Sequence, residues 1–462
     1  MLETIIDGLA QKVVSHSYKR KPDSDSKRKI RISIRKILMD CISPSRKAKR
    51  QHWASIHKNS NHYALSQYSN PDITYKIHIE RVYESLIQLG YLIEVKSGVF
   101  DGNVRLLTRY EATDKLASLF DENTLLTLPV QERVSENPEL VRVRIEVDGM
   151  KQLVGFNDND DIQEMRRNLE IINAALSTRW IDLELTDDEF EQLETRMHQR
   201  SIERNEGEGR LRLHDRQLYR VFNSLDFDRG GRFYGGWWQM VPSQYRSKIL
   251  IDGKRTVELD FSTLHPTILY AQAGEILEED AYQIDLEPIT IPAGKDSDDF
   301  RTVIKRAFNA MLNAEHRLKQ PPHELKLSEW SISWKQLVQA IEARHQPIAK
   351  HFFTGAGLRL QFEDSQIAEE IMVEFVTLMG MVPLLPIHDS FICHHGYVKD
   401  VENLMVEKFQ NRFGVAIKIK QTHFEVSYNS NSEIEDNFDD ILSYMTESHE
   451  VRLELFRNKH IH

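Results

Sequence analysis

Residues Leu384–His395 read LLPIHDSFICHH. An apolar run breaks at His388, Asp389 and Ser390, then resumes with Phe391 and Ile392. Such a pattern predicts a buried strand pair bounded by turn residues. Asp389 then stands in the middle of a core strand pair, where loss of water opposes its charge. Something in the fold or its ligands must compensate for that carboxylate.

Working outward, Arg359–Val382 (RLQFEDSQIAEEIMVEFVTLMGMV) is amphipathic and predicts a long helix leading into the pair. Upstream, KRTVELDFSTLHPTILYAQAG predicts a strand ending at Asp260 and a helix with Pro266 in its first turn. A carboxylate at a strand end beside a helix start suits a metal ligand and equally an N-cap. In DSDDFRTVIKRAFNAMLNAEHRL, Phe300, Val303, Ile304, Ala307, Met311 and Leu312 form an apolar helical face. Arg301 and Lys305 lie one turn apart on another face. Two cations so placed repel unless an anion such as a triphosphate lies between them; a solvated surface pair is the plainer alternative. The segment NSLDFDRGGRFYGGWWQMVPSQYR gathers glycines, aromatics and arginines. These types let backbone approach a ligand, stack on bases and bind phosphate, or simply build an aromatic core loop.

The chain has 462 residues, 40% of them hydrophobic, enough for two or three domains. No apolar run reaches transmembrane length, and the early acids of MLETIIDGLAQKVV do not suit a signal peptide. The two cysteines, Cys41 and Cys393, argue against a disulfide framework and a zinc cluster and fit a reducing cytoplasm. The net charge of −11 hides a strongly basic stretch from Lys19 to Arg50. Beyond it, Ile79, Val82, Tyr83, Leu86 and Leu89 have helical spacing, YLIEVK and VRLLTRYEAT predict two strands, and SGVFDGN a turn. A helix followed by a hairpin, with Lys76, Arg81, Lys96, Arg105 and Arg109 along it, resembles a winged helix-turn-helix that binds DNA. A small α+β unit with a solvated basic face would read the same way.

The order of pieces resembles the palm and fingers of family A DNA polymerases and of phage-type single-subunit RNA polymerases. Asp260 in LDFSTLHP resembles their motif A aspartate, Arg301 and Lys305 the R-x-x-x-K opening of motif B, and His388-Asp389 the His-Asp of motif C. Ser390 is closer to the RNA polymerase form. Asp228–Arg232 (DRGGR) fits the D-x-x-G-R element of the RNA polymerases, and Gln239–Pro242 (QMVP) resembles the Q-N-x-P element of the DNA polymerases. The likeness covers roughly Asn223 to Tyr428. It implies an α+β, right-hand polymerase in which Asp260 and Asp389 hold two Mg²⁺ about 3.5–4 Å apart. Lys305 would serve the leaving group. Arg301, Lys305, His265, Asn309 and Asn313 would bind the nucleotide. Arg232, Gln239, Arg246 and His388 would contact template and primer.

The implied organisation is a basic winged-helix-like DNA-binding domain over 1–120, a helical, thumb-like connector over 121–215, palm and fingers over 216–430 and an acidic tail over 431–462. Two departures bear on the sugar. Asn313-Ala314 stands where motif B ends in Tyr-Gly. His265, five residues after Asp260, is bulky as in DNA polymerases, where a small residue marks the RNA polymerases. His265 thus favours deoxynucleotides if it gates the sugar, unless it caps the helix at Pro266. DFSTLHP and KRAFNA also resemble family B elements, which the lone Asp389 does not fit. The sequence leaves three readings: a compact DNA polymerase acting on primed or unprimed template, a single-subunit RNA polymerase or primase, and a non-catalytic DNA-binding protein with a degenerate palm.

Overall fold

A computed structural model describes the chain apart from residues 43–52, 99, 102–103, 106, 122–123, 126–127, 132–133, 205–210, 285, 287–290, 423–446 and 461–462. The architecture is mixed α+β. Helix α1 (Leu2–Ser17) lays Leu2, Ile6, Leu9 and Val13 against α2 (Ser24–Cys41), which answers with Ile30, Ile34, Ile37 and Leu38. Asp23 starts α2 by accepting from Ser26 N at 2.7 Å, an N-cap. After β1 (Ala54–Ile56), a π-helical stretch, Lys76–Tyr83, runs into α3 (Glu84–Gln88). Gly90, at φ 72°, turns the chain out of the helix. Strands β2 (Leu92–Lys96) and β5 (Thr108–Ala112) complete an antiparallel sheet ordered β1-β5-β2, and between them β3 (Phe100–Asp101) and β4 (Val104–Arg105) form a separate two-stranded pair. These elements share a core that includes Tyr83, Leu86 and Tyr110.

Residues 121–215 differ from the helical connector expected there. Strands β6 (Val141–Val147) and β7 (Met150–Leu153) form a hairpin about Asp148 and Gly149, both at positive φ. Then come α4 (Asp160–Thr178), β8 (Ile181–Leu183) and α5 (Asp187–Arg204). Thr186 and Glu189 cap α5 reciprocally, with Thr186 N donating to Glu189 Oε2 at 2.8 Å. Strand β9 (Tyr219–Phe222) runs parallel to β6 and antiparallel to β10 (Gly230–Tyr234), giving a sheet ordered β10-β9-β6-β7.

The third sheet carries the candidate chemistry. It takes β11 (Ile249–Ile251) and β12 (Lys254–Phe261). Helices α6 (Leu264–Gln272), α7 (Ser297–Asn313), α8 (Trp334–Arg344) and α9 (Ala356–Leu378) intervene. Strands β13 (Leu385–Ile387) and β14 (Ser390–His394), α10 (Val398–Phe413) and β15 (Ile419–Thr422) close it. Its order is β13-β14-β12-β11-β8, with β15 paired to β12 as well. Leu259 and Phe261 are buried, and the Phe261 ring lies 6.0 Å from Phe409 of α10. Strand alternation therefore turns Glu258 and Asp260, both half-buried, to the opposite face.

Helix α11 (Glu447–His460) lies within the stretch expected as an acidic tail, whose EIEDNFDD falls outside the described residues. The helix is bound to the third sheet through Asp182 of β8, which is fully buried. Arg452 Nε donates to Asp182 at 2.8 Å, His449 Nδ1 lies 2.8 Å from it, and Trp180 Nε1 donates at 2.9 Å. Burial alone would raise the Asp182 pKa; Arg452 and His449 outweigh it and hold the carboxyl well below the usual range. Phe456 packs on Trp180 at 5.5 Å. Removing one partner of a buried charge group leaves the others uncompensated. Asp182→Ala should destabilise the protein by about 3–5 kcal/mol. Earlier thermal unfolding and tryptic cleavage at Arg452 or Arg457 would report it.

Candidate active site

Ile387 pairs with Ser390, so His388 and Asp389 form a two-residue turn between β13 and β14. Asp389 is thus half-buried on a hairpin turn instead of inside a strand core. His388 has φ 56°, an uncommon conformation for a residue with a side chain. The turn brings Asp389 to β12: Phe261 N donates to Asp389 O at 3.4 Å, and Asp260 stands opposite Ser390. Burial, and next the charge of Asp389, push the Asp260 carboxyl up to about 7; Lys305 and Lys420 act against them. Ser390 Oγ donates to Glu258 at 2.8 Å, and Arg246 Nη1 donates to the same oxygen at 2.8 Å. Arg246, expected at the nucleic acid, here donates to Glu258 and to the Val241 carbonyl.

Asp296 and Asp299 form a capping box that starts α7. Its Arg301 does not point a free guanidinium at the site. It binds both oxygens of Asp280, with Nη2 to Oδ1 at 3.0 Å, and lies 5.2 Å from the Tyr282 ring centroid. Lys305 is exposed, 5.8 Å from the same ring and close enough to Asp260 to lower its pKa. Asn313 donates to the Asn309 carbonyl at 2.8 Å, and its Oδ1 sits where a Cβ on Gly357 of α9 would be, 2.0 Å away. Asn313 therefore helps to seat α7 on α9, while Asn309 contributes its carbonyl to that asparagine's hydrogen bond.

Asp364 of α9, almost fully buried, draws two expected site residues together. Arg232 Nε donates to it at 3.2 Å, and His265 Nε2 lies 3.0 Å from Oδ2. His265 is not the helix cap: Thr263, at φ 53°, holds that position, and His265 follows within α6. One turn further along α9, Glu369 pairs with the fully buried Arg220. A Cβ on Gly231 would come within 2.8 Å of Ser365, so glycine is needed for β10 to lie against α9. Gln239 donates to the carbonyls of Phe233 at 2.9 Å and Pro386 at 3.1 Å. It too serves packing, while His388 stays on the surface 6.2 Å from the Tyr234 ring. Although its ring reaches solvent, desolvation by the protein packed around the turn, and next the charge of Arg232, lower the His388 pKa.

Of the N-terminal cations, Lys76 and Lys96 are exposed. Arg81 instead turns inward, donating to the Ser17 carbonyl 5.0 Å over the Tyr18 ring. Arg109 lies 5.5 Å over Trp53. Arg105 belongs to β4, and its side chain falls outside the described residues. Sequence reading missed Asp280, Asp364 and Lys420, since each acts through a partner remote in the chain.

Among the described residues no three His, Cys, Asp or Glu gather into a metal cage. Mg²⁺ is commonly held by one or two carboxylates together with substrate phosphates. Two neighbouring carboxylates, one pushed to about 7 by burial and the other's charge, fit such a cation. Among the described residues no helix is long and apolar enough to cross a membrane.

No family model and no curated protein matches the sequence. A similar solved structure is the POL domain of Pol1 from M. smegmatis, in complex with DNA primer-template and dNTP. The two are 12% identical with a TM-score of 0.30, over 45% of this chain and 47% of that one. The chain thus spans about half the length of that domain.

The Asp260 pKa, about 7 in the fold against 3.8 ordinarily, makes stability fall as pH rises between those values, because the unfolded chain releases the proton first. Asp260→Asn should therefore gain stability over the metal-free parent across that window. The gain should level off above about pH 7 at about 2–4 kcal/mol. Melting temperatures taken across the pH range check this, and added Mg²⁺ should narrow the gap. Asp280→Asn should release Arg301. The pair is partly exposed and worth about 0.2–1 kcal/mol, so, on the triphosphate role that the sequence resemblance implies for Arg301, inorganic triphosphate should bind roughly two- to fivefold tighter by calorimetry.

Proposed function

We propose that the chain is a template-directed nucleotidyltransferase, a compact DNA polymerase extending a strand from nucleoside triphosphates. The observation that carries this reading is Asp260 at the end of β12 beside Asp389 on the β13–β14 turn, with Lys305 of α7 near enough to oppose the charge at Asp260. Both carboxylates would hold Mg²⁺, which when bound activates the attacking hydroxyl and neutralises the triphosphate. Arg301, once it leaves Asp280, would grip the outer phosphates, and Lys305 would neutralise the departing pyrophosphate. His265, with its imidazole fixed by Asp364, would set its ring against the sugar and exclude a 2′-hydroxyl. The N-terminal helices and β1-β5-β2 sheet would act as a winged-helix unit, with Lys76 and Lys96 on DNA phosphates.

Labelled primer–template incubated with deoxynucleotides or ribonucleotides and Mg²⁺ tests the reading. Extension with deoxynucleotides is expected. Asp389→Asn should abolish it, by about 10³-fold or more, while still binding DNA. His265→Gly should raise kcat/KM for ribonucleotides by roughly 10–200-fold. Full extension by Asp389→Asn would remove that carboxylate from the chemistry, and no extension by the parent with either sugar would leave a DNA-binding protein with a palm that does no chemistry.

A further inference from the structure

Strand β15 pairs with β12 on the side away from the β13–β14 hairpin, in the register Glu258↔Thr422 and Asp260↔Lys420. Directly opposed residues of an antiparallel pair share a face, so Lys420 comes up beside Asp260. Lys418, two positions earlier, shares that face. Its carbonyl accepts from Ser262 N at 2.9 Å, which extends the ladder by one bond. Both lysines are exposed, and among the described residues neither ammonium makes a hydrogen bond or ion pair. The neighbouring cations behave differently: Arg246 is held by Glu258, Arg301 by Asp280 and Arg232 by Asp364.

Glu258 lies on the same face and is already taken by Arg246 and Ser390. Among the described residues this leaves two cations, roughly 6.6 Å apart along one strand, whose ammonium groups have no hydrogen bond or ion pair; Lys420 acts on Asp260 only through space, and the two cations repel each other unless further anions lie against them. The triphosphate has its own cations, Arg301 and Lys305, on α7. The other polyanion that must approach Asp260 is the strand whose 3′-hydroxyl attacks. Successive phosphates along that strand present charges at a comparable repeat.

We propose that Lys418 and Lys420 bind the last phosphodiesters of the strand being extended and hold its 3′ end over Asp260; this rests on the polymerase reading of Asp260 and Asp389. The two ammonium groups act as point charges on phosphate, so they fix register without reading sequence. Their contribution falls with salt, as phosphate contacts do.

The test is anisotropy of a fluorescent primer–template DNA, titrated across a salt series without nucleotide. Lys418→Ala/Lys420→Ala should weaken binding roughly three- to tenfold and lower the salt slope by about one per lysine. The Lys→Arg pair should restore both. A primer with uncharged methylphosphonates at its last two linkages should bind the parent as weakly as the alanine pair binds the ordinary primer. Combining the two changes should cost nothing further. Additive losses would put the lysines on other phosphates and overturn the proposal. So would an unchanged slope accompanied by a higher nucleotide KM, which would assign them to the triphosphate. Both variants should melt like the parent, since neither side chain is packed. Because the titration needs no incorporation, a parent that binds in this way yet adds no nucleotide keeps the lysine site and loses the polymerase reading.

Discussion

Asp260 and Asp389 repel each other, and the backbone ladder between β12 and β14 holds them together against that repulsion. The ladder runs from Thr256↔His394 to Asp260↔Ser390, so the carboxylates cannot separate without unpairing a central strand. Burial raises the cost of the charge, and Asp260 consequently has a pKa near 7. The cations around it follow from this: Lys305 above, Lys420 alongside, and Arg246 absorbing the further negative charge of Glu258. The turns after β12 and after β13 both contain a non-glycine residue at positive φ, Thr263 and His388. Backbone strain of this kind persists only where surrounding structure over-determines it, and it clusters at functional sites.

Helix α9 is the other organising element. Its face toward β10 and α6 buries Asp364, Ser365 and Glu369, which together receive Arg232, His265 and Arg220. Buried charges add little net stability when paired but cost much when one partner is lost. The arrangement therefore selects one placement of β10 and α6 over others that would bury as much apolar surface. Asn313 against Gly357 adds α7 to the same scaffold.

The hairpin at Leu384–His395, the strand ending at Asp260 and the helix with Arg301 and Lys305 were all legible, because each has a short-range signature. Those signatures are an apolar run broken by two polar residues, alternation, and a 3.6-residue period. The β6–β7 hairpin was overlooked although VRVRIEV alternates apolar and charged residues before Asp148-Gly149; the density of charge suggested a solvated helix. Asp364, Glu369 and Asp182 looked like ordinary polar positions, because their partners arrive from 132, 149 and about 270 positions away. Arg81 and Arg246 illustrate the reverse: a cation's sign is visible in the sequence, but whether the fold consumes it is not.

Helix α11 has a kinetic meaning as well. Asp182 meets His449 across 267 residues, with β12, α7 and α9 lying between them in the chain. Contacts so distant in sequence are slow to form, since the entropy of closing the loop precedes any reward. Until α11 docks, β8 carries a carboxylate that cannot be buried without a counter-charge. The β8 edge of the third sheet is therefore expected to be completed late in folding, after the central strands that carry Asp260 and Asp389 have already paired.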